Sequence, residues 1–470
     1  MQRMKSPPLK PPPAVASSLR YRKNDRLGSL PKPPITDLMT RHRSTAEKLA
    51  VLAEQTPLHL LPEAQQDFLR IQADYHRFTL QELKIVTEIA LDLMMWGEPS
   101  IRALWPKECR AGGGKQARQS LITALVAAWR QMRSTPNRYT GRPPQAPPAA
   151  KVIIQSKPAL ALGTCPVASS KTRCCNLLTL DTVDNCGYGC SYCSIQSFFS
   201  DHQVIFDDRL EEKLAALSID PHRIYHIGTG QSSDSLMWGN SHRILDILLQ
   251  FAHQHPNVIL EFKSKSDNIH HLLSRDVPPN VICTWSLNTP TIITYEELGT
   301  ASLERRLLAA RRAAEHGVLV GFHLHPLVHY ASWQKEYADV VRQICAFFQP
   351  EQVVMLSLGT LTFTKRVLRK IRERNIASKI LKLELVESDG KLSYPEETKL
   401  DLFSHLYHCF PSSWHDQVFF YLCMENQRLW KPVFGFEYDS NEQFERRMLQ
   451  IYSEKIRSKR KISTTINQDE

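Results

Sequence analysis

No apolar run in this 470-residue chain approaches the roughly 20 residues a membrane helix needs, so neither a transmembrane span nor a membrane partner is expected. The N-terminus lacks the apolar core of a secretory signal. Its prolines would break the amphipathic helix of an organelle transit peptide, so the expected localisation is cytoplasmic. Acid is scarce at both ends: residues 1–36 carry eight Lys or Arg against one Asp, and residues 455–461 carry five basic residues and no acid. These two segments supply +12 of a net +11, leaving the remainder near −1. Both read as solvated arms, or as sources of phosphate contacts without sequence specificity. Charge alone therefore does not make the folded body a nucleic-acid binder. Of eleven cysteines, eight (Cys109, Cys165, Cys174, Cys175, Cys283, Cys345, Cys409 and Cys423) show no metal-ligand spacing. For most of them the expectation is a buried, inert thiol, and for the adjacent Cys174 and Cys175 a loop or strand-edge thiol.

What is present is ordinary globular material, 42% hydrophobic and 23% charged, enough for about two or three domains. Residues 1–36, with eight prolines, should be a disordered tail. A helical region is expected over 37–133. Its clearest helix opens with the capping box Thr79-Leu-Gln-Glu82, continues through Leu83, Val86, Ile89, Ala90 and Leu93, and ends at Gly97. Leu121 to Met132 reads as another. The tract Gly112 to Lys115 lacks the earlier glycine and following Ser/Thr of a phosphate-binding loop and reads as a flexible turn. Residues 134–150 form a proline-rich linker.

Beyond the linker, short β-rich runs alternate with amphipathic helices. The runs are Leu177–Val183, Arg223–Ile227, Val258–Phe262, Val281–Ser286, Val318–His323 and Val353–Leu358. Helical stretches such as His242–Gln254, Leu303–His316 and Tyr337–Phe348 separate them. This alternation predicts an α/β fold, a partial TIM-like (β/α)6 barrel over 151–436, followed by a C-terminal helix and basic tail over 437–470. In such barrels function collects at the C-terminal ends of the strands.

Those ends carry the chemistry. The first run leads into Cys186-Gly-Tyr-Gly-Cys190-Ser-Tyr-Cys193. Structural zinc wants four ligands, usually as two separated pairs, so three thiols at this spacing favour a [4Fe-4S] cluster with one iron left for a small molecule. Gly187 and Gly189 keep the loop backbone permissive. The second run ends in Gly228-Thr-Gly230-Gln231-Ser-Ser233-Asp234, where small residues allow close approach and Gln231, Ser233 and Asp234 offer polar contacts. The others end in Lys263-Ser-Lys265, Ser286-Leu-Asn288 and His323-Leu-His325-Pro326. His325 and His329 stand four apart, but Pro326 breaks the helical geometry a metal pair would need, whereas His323 is expected to line the pocket.

The C-x3-C-x2-C spacing resembles the signature of radical S-adenosylmethionine (radical SAM) enzymes. From about residue 176 to 436 the chain resembles the spore photoproduct lyase family within them. The likeness rests on the cysteine motif, Ser-Ser-Asp234, Lys263-Ser-Lys265-Ser, Trp285-Ser-Leu-Asn288, Gly321-Phe-His323 with Pro326 and His329-Tyr330, Leu356-Ser-Leu-Gly359-Thr, and Tyr421-Leu-Cys-Met-Glu425 with Leu429-Trp430. It implies a DNA or other nucleic-acid substrate, an electron donor such as a flavodoxin or ferredoxin, and cleavage of S-adenosyl-L-methionine to a 5′-deoxyadenosyl radical. It further implies cofactor contacts at Ser233, Lys265, Ser286 and Asn288, with Gly228 and Gly230 beside them. Tyr192 and His323 become candidates for catalytic roles. The family's repair enzyme places a hydrogen-donating cysteine where this chain has Gln231, and a tyrosine where it has Ser194. Alternatives are a peptide, protein or small-metabolite substrate, or a non-enzymatic, metal-containing nucleic-acid binder.

Overall fold

Alternate residues of the expected strands differ in kind, and that difference decides the architecture. One set is apolar (Leu260 and Phe262, Trp285 and Leu287, Phe322 and Leu324, Leu356 and Leu358), while the intervening set holds Glu261, Lys263, Thr284, Ser286, His323, His325 and Ser357. Successive side chains of a strand point to opposite faces. One face must therefore meet covering helices and the other a polar interior. The computed structural model describes residues 58–106, 114–157, 161–164, 172–195, 203–388 and 390–466, with the isolated positions 47 and 51. The tail 1–36, Cys109 and Cys165 lie outside the described residues.

The main sheet has eight strands: β1 (Ala161–Thr164), β2 (Leu178–Asp181), β3 (Tyr225–Thr229), β4 (Val258–Ser264), β5 (Val281–Leu287), β6 (Leu319–Leu327), β7 (Val353–Thr360) and β8 (Phe419–Leu422). They lie side by side in sequence order, β2 to β8 all parallel and β1 antiparallel on one edge. The six expected strands are present, and β8 adds a seventh parallel one to the (β/α)6 expectation. Its four residues, three of them aromatic, gave no periodicity from which to read it. Register places Ser286, His323, Ser357 and Tyr421 in one row across β5 to β8.

The helical region comprises α1 (Glu63–His76), α2 (Leu80–Trp96) and α3 (Lys115–Ser134). Thr79 and Glu82 form the reciprocal capping box, and Gly97 closes α2 with φ +70. Gly114 precedes α3, while residues 112 and 113 of the expected turn lie outside the described residues. Crossover helices include α4 (Ile244–Gln254), α5 (Leu303–Glu315) and α6 (Trp333–Phe347), each close to its expected span. Next come α7 (Lys365–Glu373), α8 (Glu396–His408) and the long α9 (Asn441–Ile466). The basic run at 455–461 continues α9, with Arg457 exposed and two of its lysines bonded back to the barrel. Lys455 Nζ donates to the Pro350 and Val353 carbonyls, both at 2.6 Å, and Lys459 Nζ to that of Gly317 at 2.9 Å. These backbone acceptors at strand entrances draw the two ammoniums onto the barrel.

The helical region is fastened to the barrel through α7 and the segment after it. Asp92, fully buried in α2, accepts two hydrogen bonds from Arg372 (2.7 and 3.0 Å) and one from Trp129 Nε1 (3.2 Å). The Ser378 amide donates to the Met95 carbonyl at 2.8 Å, Lys382 pairs with Glu98, and Arg133 donates twice to the Leu383 carbonyl. Removing one member of a buried pair strands the other's charge, which costs about 3–5 kcal/mol. Asp92→Ala should therefore lower stability by that order in urea unfolding followed by circular dichroism. Asp92→Leu with Arg372→Met should cost less than Asp92→Ala alone, and a larger loss in the double variant would contradict this account.

Candidate active site

The loop after β2 is held by the protein's own contacts. Gly189 and Cys190 pair antiparallel with Leu298 and Glu297. A Cβ on Gly189 would lie 2.6 Å from Pro147 Cδ, so the proline-rich linker packs directly on the loop. The glycine is required by that approach, not only by backbone freedom. Arg374, two residues beyond the Asp92 clamp, donates to the Cys190 carbonyl at 2.9 Å and the Gly189 carbonyl at 3.4 Å.

Two consecutive buried glutamates organise the surroundings. Glu296 accepts from the Ser191 and Ser378 hydroxyls, Tyr139 Oη (2.9 Å) and the Lys379 amide (3.0 Å), joining loop, linker and post-α7 segment. Burial raises its pKa against those hydrogen bonds. Glu297 faces the barrel, accepting from Tyr192 Oη and pairing with Lys265 at 3.1 Å and Arg306 at 2.7 Å. Burial pushes this carboxyl up, but the Lys265 and Arg306 charges overcome it and hold the pKa at about 2. Lys265 Nζ also donates to Tyr192 Oη at 3.1 Å. An ammonium has three N–H donors, so one remains for a group in the cavity.

Strand ends and loop enclose a cavity of about 280 Å³. Cys186, Cys190, Cys193, Tyr192, Gly228, Gly230, Ser233, Lys265, Ser286 and His323 all line it. Gly230 adopts φ +80, and a Cβ there would meet Ser235 Oγ at 2.5 Å and the Lys263 carbonyl at 2.9 Å, so only glycine brings the backbone this close. Asn288 does not reach the cavity. Its amide donates to the Pro326 carbonyl (3.0 Å) while its oxygen accepts from Tyr337 Oη (2.8 Å) and the Thr289 amide (3.0 Å), fully engaging it in the wall. Asp234 borders the cavity, but its carboxylate accepts from the amides of Leu236, Met237 and Lys265 and from Ser264 Oγ. It shapes the turn and has little left to offer a ligand. Gln231 lines the cavity.

Sequence reasoning missed Glu261, which lies at the floor. Its carboxylate accepts from His226 Nε2 (2.8 Å), His323 Nε2 (2.9 Å) and Thr284 Oγ1 (2.6 Å). Burial opposes its ionisation, but these donors hold its pKa well below the ordinary value. Burial lowers that of His323 to about 4, so the imidazole is neutral with its Nε2 proton directed at Glu261. Alternation of polar with apolar residues in β4, β5 and β6 was the available signal. Glu296, Glu297 and Arg374 had none, because their partners lie far away in sequence.

Three soft thiols on one wall suit an iron–sulfur cluster. Burial raises the pKa of Cys190 to about 12 and that of Cys186 well above its usual value, and the neighbouring Cys193 sulfur pushes both further up. Neighbouring thiolates therefore need a cationic centre between them. Among the described residues no three His, Cys, Asp or Glu side chains converge on a single-ion position. Cluster ligands each take a different iron, so their sulfurs stand wider apart than ligands of one ion.

The spore photoproduct lyase family model matches residues 164–405, just over half of the chain. The chain belongs to the spore photoproduct lyase family. A spore photoproduct lyase of a Geobacillus species is 29% identical over 142 residues, 29% of this chain and 39% of that protein. One from Clostridium acetobutylicum is 32% identical over 82 residues, 17% and 24% respectively. The chain thus aligns with about two-fifths or less of these relatives' lengths. A solved spore photoproduct lyase complexed with dinucleoside spore photoproduct is 18% identical, with a TM-score of 0.48, over 66% of this chain and 86% of that one.

Glu297 gives the site a pH signature. Its pKa is depressed in the folded state, so its contribution to stability is complete above the ordinary value of 4.5 and is lost as pH falls toward about 2. Wild-type stability should fall across that window more steeply than that of Glu297→Gln, measured by urea midpoints at successive pH values. Equal slopes would show that the pair with Lys265 and Arg306 does not set the carboxyl's pKa.

Proposed function

We propose that this protein is a radical SAM enzyme acting on a nucleic acid, with chemistry akin to photoproduct repair. The observation that carries the reading is Cys186, Cys190 and Cys193 on one wall of a cavity whose other walls are the glycine-rich and polar strand ends. Cys186, Cys190 and Cys193 would hold a [4Fe-4S] cluster, which would supply the electron for reductive cleavage of S-adenosyl-L-methionine to methionine and a 5′-deoxyadenosyl radical. The free N–H of Lys265 is suited to the methionine carboxylate, with Glu297 and Tyr192 fixing the direction of the ammonium. Ser233 and Ser286 offer hydroxyls, and the open backbone at Gly228 and Gly230 leaves room for the adenosine. Neutral His323 lines the floor, its ring oriented by Glu261.

A nucleic-acid substrate draws support from family membership and from the cavity rim. Thr362 and Phe363 line the cavity, and α7 begins two residues later with Lys365, Arg366, Arg369 and Lys370. Basic side chains there suit phosphates of a strand whose base enters the cavity. A flavodoxin or ferredoxin would supply the electron.

Anaerobic purification and reconstitution should yield a brown protein holding about four irons per chain. Reduced, it should convert S-adenosyl-L-methionine to 5′-deoxyadenosine, and Cys190→Ala should lose both iron and turnover while staying folded. With ultraviolet-irradiated DNA, Gln231→Cys should raise the yield of restored thymine above wild type. Zinc in place of iron, or an intact cluster that never cleaves the cofactor, would overturn the reading.

A further inference from the structure

Six thiols line the cavity, and the cysteine loop accounts for only three. The others, Cys174, Cys175 and Cys423, sit at the seam where the two ends of the open sheet approach each other. Cys174 and Cys175 precede β2, Cys423 follows β8, and a bridge between Thr172 and Asn426 joins the flanking segments. The seam is built rather than incidental. The Cys174 amide donates to Asn441 Oδ1 (3.0 Å), Asn176 Nδ2 to Glu445 Oε2 (2.7 Å), Arg173 Nε to the Tyr438 carbonyl (2.7 Å) and the Cys423 amide to the Leu358 carbonyl (2.7 Å). Next to the thiols, Asn176 and Met424 hold φ of +52 and +61. A left-handed methionine is costly and persists only where its surroundings impose it.

The sulfurs are also matched. The Cys175 thiol hydrogen-bonds to the Cys174 sulfur, which lowers the Cys174 pKa to about 6 and, with burial, raises that of Cys175 well above normal. Cys174 thus favours the thiolate, while Cys175 keeps its hydrogen at the edge of the cavity.

We infer that Cys175 donates a hydrogen atom to carbon-centred radicals formed in this cavity, making the seam a second thiol site distinct from the cysteine loop. The inference rests on the radical reading under Proposed function. In the step a C–H bond forms and the Cys175 S–H bond breaks. Electron and proton move together, leaving a thiyl radical on Cys175. An S–H bond is weaker than an alkyl C–H bond, so the transfer runs downhill. One electron from a low-potential donor protein of the flavodoxin or ferredoxin class, with one proton from solvent, restores the thiol.

The test needs no substrate. Reconstituted holoprotein in deuterium oxide receives S-adenosyl-L-methionine and dithionite, and mass spectrometry reads the isotopic fraction of whatever 5′-deoxyadenosine forms. Thiols exchange with solvent and carbon-bound hydrogens do not, so the wild-type product should carry one deuterium. The label should be lost in Cys175→Ala and Cys175→Ser and kept in Cys345→Ala, whose thiol lies on α6. Unlabelled product from the wild type, or label persisting in both Cys175 variants, overturns the inference while leaving the radical reading intact. Absence of 5′-deoxyadenosine overturns that reading and this inference with it.

Discussion

Neutralising two adjacent buried carboxylates is the constraint on which the site depends. Glu296 and Glu297 lie in one short stretch, yet their side chains serve opposite directions. The first gathers donors from the cysteine loop, the linker and the segment after α7, and the second gathers cations and a phenol from the barrel. Because Glu297 also pairs through its backbone with Cys190, strain in either carboxylate network is felt by the loop. A buried carboxylate is costly unless every donor is placed, so satisfying both fixes the loop against three separate parts of the chain. The loop is preorganised by polar bonds, where apolar packing alone would leave it free to slide.

This dependence explains what could be read from the sequence. Strand and helix positions follow from local periodicity, so six strands, the capping box at Thr79 and the end at Gly97 were legible. The strand ends were legible as polar positions, but their roles were not. Ser233, Lys265, Ser286 and His323 face the cavity, whereas Asn288 is consumed by Tyr337 and Pro326 and Asp234 by its own turn. Nothing within ten residues of Asn288 distinguishes it from Ser286. The difference is made by a tyrosine on α6, which only the folded chain brings near. Strand β8 was hidden for another reason: four residues are too few for alternation to be counted.

The helical region lies outside the family match, yet it is not a separate appendage. Asp92 clamps Arg372, and two residues later Arg374 grips the carbonyls of Gly189 and Cys190. A rigid turn therefore connects α2 to the cysteine loop, with Ser378 adding a link from the Met95 carbonyl side to Glu296. Arg374 places a guanidinium beside two of the loop thiols, and burial depresses its own pKa while the Cys193 and Cys190 charges raise it. A fixed positive charge at that point favours electron-rich states of whatever the thiols bind. The helical region thus acts on the site through charge placement as well as mechanical support.

The polar interior has a consequence for reactivity. Inside a low-dielectric barrel, hydrogen bonds and charges are stronger than in water, and every acidic group found there is already answered by a donor. Glu261 is answered by two histidines and a threonine, Glu297 by Lys265, Arg306 and Tyr192, and Glu425 by Lys399 and Thr360. The carboxylates of the walls are thus answered internally, and the groups left facing the cavity are hydroxyls, two uncharged imidazoles, thiols and the Lys263 and Lys265 ammoniums. Under the proposed radical reading, the property of a wall residue that decides its part is the strength of its bond to hydrogen, and the thiols are then set apart from the hydroxyls of the same lining.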